Sequence, residues 1–184
     1  DESWIKEATE KRGLLNYCTT ADCMPHLLDK KNVEMLTSHG VYTEAELKSR
    51  CEIMLENYCK TIVIEAHTMA DMAKTQIAPA IEAYSADVAK AAAAKKVFDS
   101  TLACSYETGV VRRLSVLTDR IAEKTEELES ALLSLDGAED IETESVMIRD
   151  TVLNLMCELR LACDEAETLT AKTYWLPKLC RFAV

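Results

Sequence analysis

The sequence predicts an all-α protein: an antiparallel bundle of three long helices preceded by two or three short helices. Three observations predict it. Only four glycines and three prolines interrupt 184 residues, and alanine, leucine, glutamate and lysine dominate the rest. β-branched residues are scattered and never alternate with polar ones, so no strand is expected. Apolar residues recur instead at steps of three and four along three long stretches joined by short connections.

In chain order, residues 3–12 form a short amphipathic helix with Ser3 as its cap and Trp4, Ile5 and Ala8 on one side; Gly13 ends it. Residues 19–25 read as loop or a single helical turn. Asp29 is placed to cap a further short helix to about Ser38, and Gly40 sits where a C′ glycine belongs. Thr43 opens the first long helix with a capping box, Thr43-x-x-Glu46. Its seam is read as Leu47, Cys51, Met54, Tyr58, Ile62, Glu65/Ala66, Met69, Met72/Ala73, Gln76/Ile77, Ala80, Tyr84 and Val88. Tyr58, Glu65, His67 and Gln76 are unusual companions for a buried stripe. Pro79 removes one backbone hydrogen bond and is expected to kink the helix.

The second long helix is expected from Asp99 or Ser100 to the residue before Asp136-Gly137. Its seam is Val110, Leu114, Leu117, Ile121, Thr125, Leu128, Leu132 and Leu135. Gly109 inside it suggests a weak point or a close helix contact. Glu123, Glu126, Glu127 and Glu129 read as a solvent face. After the loop at 136–143, Thr143 or Ser145 caps the third helix, with seam Ile148, Val152, Leu155, Leu159, Ala162, Ala166 and Leu169. The expected organisation is a lead-in of short helices over 1–42 and a long-helix bundle over 43–184. The long helices cover 43–96, 99–135 and 143–173, with an irregular C-terminal tail. The whole is expected to fold as one unit, a fragment of a larger chain that begins Asp-Glu without a signal peptide.

Composition excludes several functions. A net charge of −11 argues against nucleic acid, which rewards clustered Lys and Arg. No apolar run approaches the roughly 20 residues that span a bilayer. Eight cysteines show no C-x-x-C pair, so reduced, cytosolic thiols are the better reading than zinc or disulfides; Cys51, Cys59, Cys157 and Cys163 fall in helices as small buried hydrophobes. No Glu-x-x-His pair supports a di-iron bundle. His67 has Asp71 four residues on, but one such pair falls short of a metal site. No phosphate-cradling glycine loop and no nucleophile–base spacing occurs. No catalytic, cofactor-binding or metal-binding residue is assigned in this chain.

One resemblance emerges from particular residues. The runs Lys31-Asn32-Val33-Glu34, His39-Gly40-Val41-Tyr42-Thr43-Glu44, Ser49-Arg50-Cys51-Glu52-Ile53, Glu56-Asn57-Tyr58-Cys59-Lys60-Thr61, Ile64-Glu65-Ala66-His67-Thr68-Met69, Asp71-Met72-Ala73-Lys74 and Ile77-Ala78-Pro79-Ala80 resemble the C-terminal region of type III glutamine synthetase. The opening Trp4-Ile5-Lys6-Glu7-Ala8 and the closing Leu169 to Tyr174-Trp175 resemble it too. The resemblance implies a parent enzyme that joins ammonia to glutamate with ATP and Mg or Mn. It is expected in the cytoplasm as a homo-oligomer, its ligands upstream of this segment. For this chain it implies a non-catalytic helical domain, inactive alone, that packs on its own catalytic domain and neighbouring subunits. Tyr58, Glu65, His67, Gln76, Pro79, Tyr174 and Trp175 are then structural or interaction residues. A free-standing acidic helical interaction or scaffold module is the alternative, and a thiol-based redox protein the third reading.

Overall fold

The computed structural model describes residues 2–175. Among them every regular element is helical and there is no strand. Helix α1 (Glu2–Lys6) runs into a π turn (Glu7–Lys11), and Gly13 leaves it at φ +66°. Helices α2 (Thr20–Cys23) and α3 (Lys30–Ser38) follow, with a 3-10 turn (Pro25–Leu28) between them. Helix α4 (Glu44–Met72), a π turn (Ala73–Ile77) and helix α5 (Ala78–Phe98) form the first long helix. Helix α6 (Ser105–Ser134) is the second. Helix α7 (Ile141–Met147), a π turn (Ile148–Val152) and helix α8 (Leu153–Leu169) make the third. The irregular tail expected beyond residue 173 lies, from residue 176 on, outside the described residues.

Several ends form as the sequence implies. The Thr43 backbone N–H donates to Glu46 Oε2 at 2.7 Å while the Glu46 N–H donates to Thr43 Oγ1 at 3.3 Å, the reciprocal capping box. Gly40, at φ +65°, closes α3, with the Val41 N–H returning to the Leu36 carbonyl.

Other ends differ, each for a local reason. Ser3 lies inside α1 rather than capping it. The Asp29 side chain does not cap α3; its carboxylate accepts from His26 Nδ1 at 2.9 Å instead. The second long helix starts at Ser105, not at Asp99 or Ser100, because Asp99 Oδ1 accepts from the Thr101 N–H at 2.8 Å and Oγ1 at 2.7 Å and closes a turn. The third begins at Ile141, because Asp140 rather than Thr143 or Ser145 is the N-cap and accepts from the Thr143 N–H at 2.7 Å. It ends at Leu169, where Thr170 turns extended.

Chain contacts divide the molecule into two compact units, Asp1–Ile62 with Gly137–Arg149, and Val63–Asp136 with Asp150–Val184. In the first unit α2 meets α7. Its core lies along α4 at Leu47, Cys51, Leu55 and Cys59. Between Ser3 and Glu46 only Ala21 is buried.

In the second unit α5 packs on α6 and α6 on α8. The ion pairs show both packings to be antiparallel: Lys74 meets Glu129 at 2.6 Å and Lys95 meets Glu107, and likewise Arg113 meets Glu165 and Lys124 meets Glu158 at 2.9 Å. One partner climbs as the other descends. Of the expected seam Leu114, Leu117, Ile121, Thr125, Leu128, Leu132 and Leu135 are buried, and Val110 at its start is half-buried. On the third helix Val152, Leu159, Ala162 and Ala166 are buried, with Cys163 added, while Leu155 and Leu169 are half-buried; Ser145 and Ile148, buried too, belong to the first unit. Buried hydroxyls turn back onto their own helix: Thr125 Oγ1 donates to the Ile121 carbonyl at 2.7 Å and Ser145 Oγ to that of Glu142 at 2.7 Å.

The first long helix corrects its expected seam. The buried line is Leu47, Cys51, Leu55, Cys59, Ala66, Ala70, Ala73, Ile81 and Ser85; Met54 is 48% exposed. The early steps of four rotate the line by about 40° each around the helix, which a heptad reading does not allow for. The π turn then inserts one residue. The Ala78 N–H bonds the Ala73 carbonyl, five residues back, and Pro79 falls in the first turn of α5, where its missing donor costs little. The extra residue moves burial from Ala80 and Tyr84 to Ile81 and Ser85. Gly109 is exposed, and a Cβ there would meet nothing within 4 Å, so the expected close contact is absent.

Candidate functional site

Among the described residues no three His, Cys, Asp or Glu side chains gather to hold a metal ion, and no helix is long and apolar enough to cross a membrane. Glu65 and His67 flank buried Ala66 on the helix and both are exposed, as is Asp71. Tyr58 and Gln76 are half-buried, and Pro79 is exposed beside the π turn. The structure does not bring these residues into one constellation.

Tyr174 does belong to a cluster in the second unit. Tyr174 Oη donates to Asp87 Oδ2 at 2.6 Å, and its ring meets Tyr84 at 5.3 Å between centroids. The Tyr174 hydroxyl, helped by Lys90, holds the Asp87 carboxyl below its usual range. Trp175 is buried.

Three polar ties escaped sequence reasoning. Arg149 Nη1 donates to Asp22 Oδ1 at 2.6 Å, and Thr19 Oγ1 donates to Asp22 Oδ2 at 2.7 Å, joining α2 to the π turn that follows α7 within the first unit. The Thr19 hydroxyl and then Arg149 lower the Asp22 pKa. The Thr19-x-x-Asp22 spacing signals that turn; the arginine, 127 positions on, has no local signal. Glu107 is buried against Lys95, which lowers its pKa, and Glu107 raises that of Lys95. Lys124 is bracketed by Glu127 at 2.7 Å and Glu158 at 2.9 Å, which push its pKa up. With Glu129 on Lys74, two of the four acids read as a solvent face are in fact tied.

His26 is not isolated. Its ring stacks on Tyr17 at 4.3 Å, and its carbonyl accepts from Asn32 Nδ2 at 2.6 Å. The thiols of Cys18, Cys23, Cys51, Cys59, Cys104, Cys157 and Cys163 are free. Burial pushes Cys59 and Cys163 to about 11. Cys157 is exposed, contrary to its expected burial.

What the first unit does present is apolar surface. Trp4, Ile5, Leu14, Leu15, Tyr17 and Met35 are all exposed, although this stretch buries a single side chain of its own. The Trp4 ring carries the Arg12 guanidinium at 5.5 Å, and Arg12 pairs with Glu7 at 2.7 Å, so the indole is held rather than loose. Exposed large apolar side chains that include Trp4, Tyr17 and Met35 have the composition of an interface.

The comparisons with known proteins agree on one family. The family model for the glutamine synthetase C-terminal domain matches residues 1–96. A glutamine synthetase of Butyrivibrio fibrisolvens is 36% identical over 174 residues, covering 94% of this chain and 25% of that protein. A type-3 glutamine synthetase of Dictyostelium discoideum is 26% identical over 178 residues, 94% of this chain and 24% of that protein. A glutamine synthetase of Bacteroides fragilis (strain YCH46) is 32% identical over 83 residues, 45% of this chain and 11% of that protein. The chain thus spans about a quarter of the length of the first two relatives.

Proposed function

The chain belongs to the glutamine synthetase C-terminal domain family, and from that premise we propose that it is the non-catalytic helical domain of a type III enzyme, packing on the catalytic part and contributing to oligomer assembly. The observation that carries the docking role is the lead-in before Glu46, which exposes Trp4, Leu15, Tyr17 and Met35 while burying only Ala21. A segment with almost no core of its own is stabilised when its apolar side chains cover a second surface. In this reading ATP, Mg or Mn, glutamate and ammonia are handled by the catalytic part, in the cytoplasm. Tyr58, Gln76, Tyr174 and Trp175 specify packing inside the domain, Pro79 fixes the π turn, and Glu65 and His67 sit on the outer face available to neighbouring subunits.

The test supplies the part of the enzyme that the chain does not span as a separate polypeptide. The two are expected to co-purify, glutamine formation is expected only in fractions holding that second polypeptide, and Trp4→Ser with Leu15→Ser is expected to abolish co-purification. ATP-dependent glutamine formation by the 184-residue chain alone would overturn the non-catalytic assignment. Failure of the pair to associate would overturn the docking role and favour a free-standing interaction module.

A further inference from the structure

A second surface lies within the second unit, on the face of the α5–α6 hairpin that α8 does not occupy. Arg113 and Lys124 turn toward α8 through Glu165 and Glu158. Elsewhere around α6 an open groove runs between the two helices, lined by Ala89, Ala92, Thr108, Arg112, Ser115 and Val116 among others. Most of these side chains are small, so another helix can approach closely.

Below the groove the same face continues along α6. Arg112, Val116, Asp119, Glu123 and Glu126 recur at steps of four and three, which places them on one line, and all five are exposed. Lys96 continues the Ala89–Ala92 line of α5 by another four residues and is exposed as well. Charge along this face is therefore ordered. Lys96 and Arg112 form a basic end, Val116, 57% exposed, stands in the middle, and Asp119, Glu123 and Glu126 form an acidic end.

We propose that this face is a contact between two copies of the chain, packed antiparallel about a two-fold axis near Val116. With a net charge of −11, two copies repel through most of their surfaces. This face is different because a half-turn lays its basic end on the partner's acidic end, while a parallel arrangement opposes like charges. The Val116 side chains of the two copies meet at the axis, and Arg112 of each copy meets Asp119 of the other. A two-fold contact of this kind closes on itself and makes a dimer rather than a filament. Charge order sets the register and the orientation, and the small groove residues supply the close approach.

The proposal rests on the assembly half of the function given above and is independent of the docking half. Sedimentation velocity of the whole chain, up to on the order of 100 µM, is expected to show a monomer–dimer equilibrium that weakens with added salt. Arg112→Glu and Asp119→Arg are each expected to raise the dimer dissociation constant at least about tenfold, and the double exchange to bring it back to within about threefold. Both positions are exposed, so unchanged helicity by circular dichroism shows that the fold persists. A wild-type chain monomeric at every concentration, or a double exchange no better than the singles, overturns the proposal. Trp4→Ser with Leu15→Ser, which tests docking, is expected to leave the dimer untouched, so the two ideas fail separately.

Discussion

Asp22 and Arg149, 127 positions apart in sequence, share a 2.6 Å hydrogen-bonded ion pair, and the Thr19 hydroxyl holds the other carboxylate oxygen. The arrangement favours the charged aspartate and so lowers its pKa from 3.8. A lowered folded-state pKa gives stability that is present above the unfolded value and lost as pH falls through the folded one. Asp22→Asn is therefore expected to lower the melting temperature by a few degrees at pH 7, and the difference from wild type is expected to vanish as the pH drops below 3.8. A difference that stays constant down to strongly acidic pH would show that the pair is not its source.

Adjacent positions on α4 separate the buried line from the expected one. Leu55 is 3% exposed and Met54 is 48% exposed. Leu55→Ala should cost about 2–5 kcal/mol of unfolding free energy and Met54→Ala within about 0.5 kcal/mol. Denaturant titration of the two variants measures both, and the reverse order would restore the heptad seam.

Gly109 is an exposed helical glycine with open space where a Cβ would stand. Gly109→Ala is expected to stabilise the protein by about 0.5–1 kcal/mol through helix propensity and a less disordered unfolded chain. A loss of stability in the same titration would reveal a neighbour that needs the glycine.

Thiol chemistry divides by burial. Cys18 and Cys157 are exposed, whereas Cys59 and Cys163 are buried and pushed to about 11, leaving almost no thiolate near neutrality. Alkylation at pH 7.5 followed by mass spectrometry should label Cys18 and Cys157 first and Cys59 and Cys163 only on unfolding. Fast labelling of Cys59 would revive a redox role.

Local signals were legible in the sequence and long-range ones were not. The α6 seam from Leu114 to Leu135, the Thr43–Glu46 box and the Gly40 stop each depend on residues within a few turns, and each stands as expected. On the first long helix Leu47, Cys51, Ala66 and Ala73 are buried as the pattern predicts, while Met54, Ala80 and Tyr84 are not, because the steps of four and the inserted residue at Ala73–Ile77 answer to packing, which no local pattern encodes. Of the Glu65/Ala66 alternative it is Ala66 that is buried, with Glu65 and His67 exposed on either side. Asp22–Arg149 and Lys95–Glu107 were hidden for the same reason, since a carboxylate gives no local sign of the cation it will meet. The exposure of Trp4 and Leu15 was hidden too: hydropathy shows that a residue prefers burial, not whether this chain supplies it.

The five-residue turn Ala73–Ile77 makes the first long helix behave like text with a reading frame. Were these residues wound as ordinary α-helix with none removed, every side chain after them would swing by about 100°. Ile81 would leave the core, and the Ala89–Ala92–Lys96 line would rotate away from the groove it helps to form. A single codon lost within the turn would instead remove the extra residue and leave both surfaces in frame, whereas one lost just beyond it would put both out of frame.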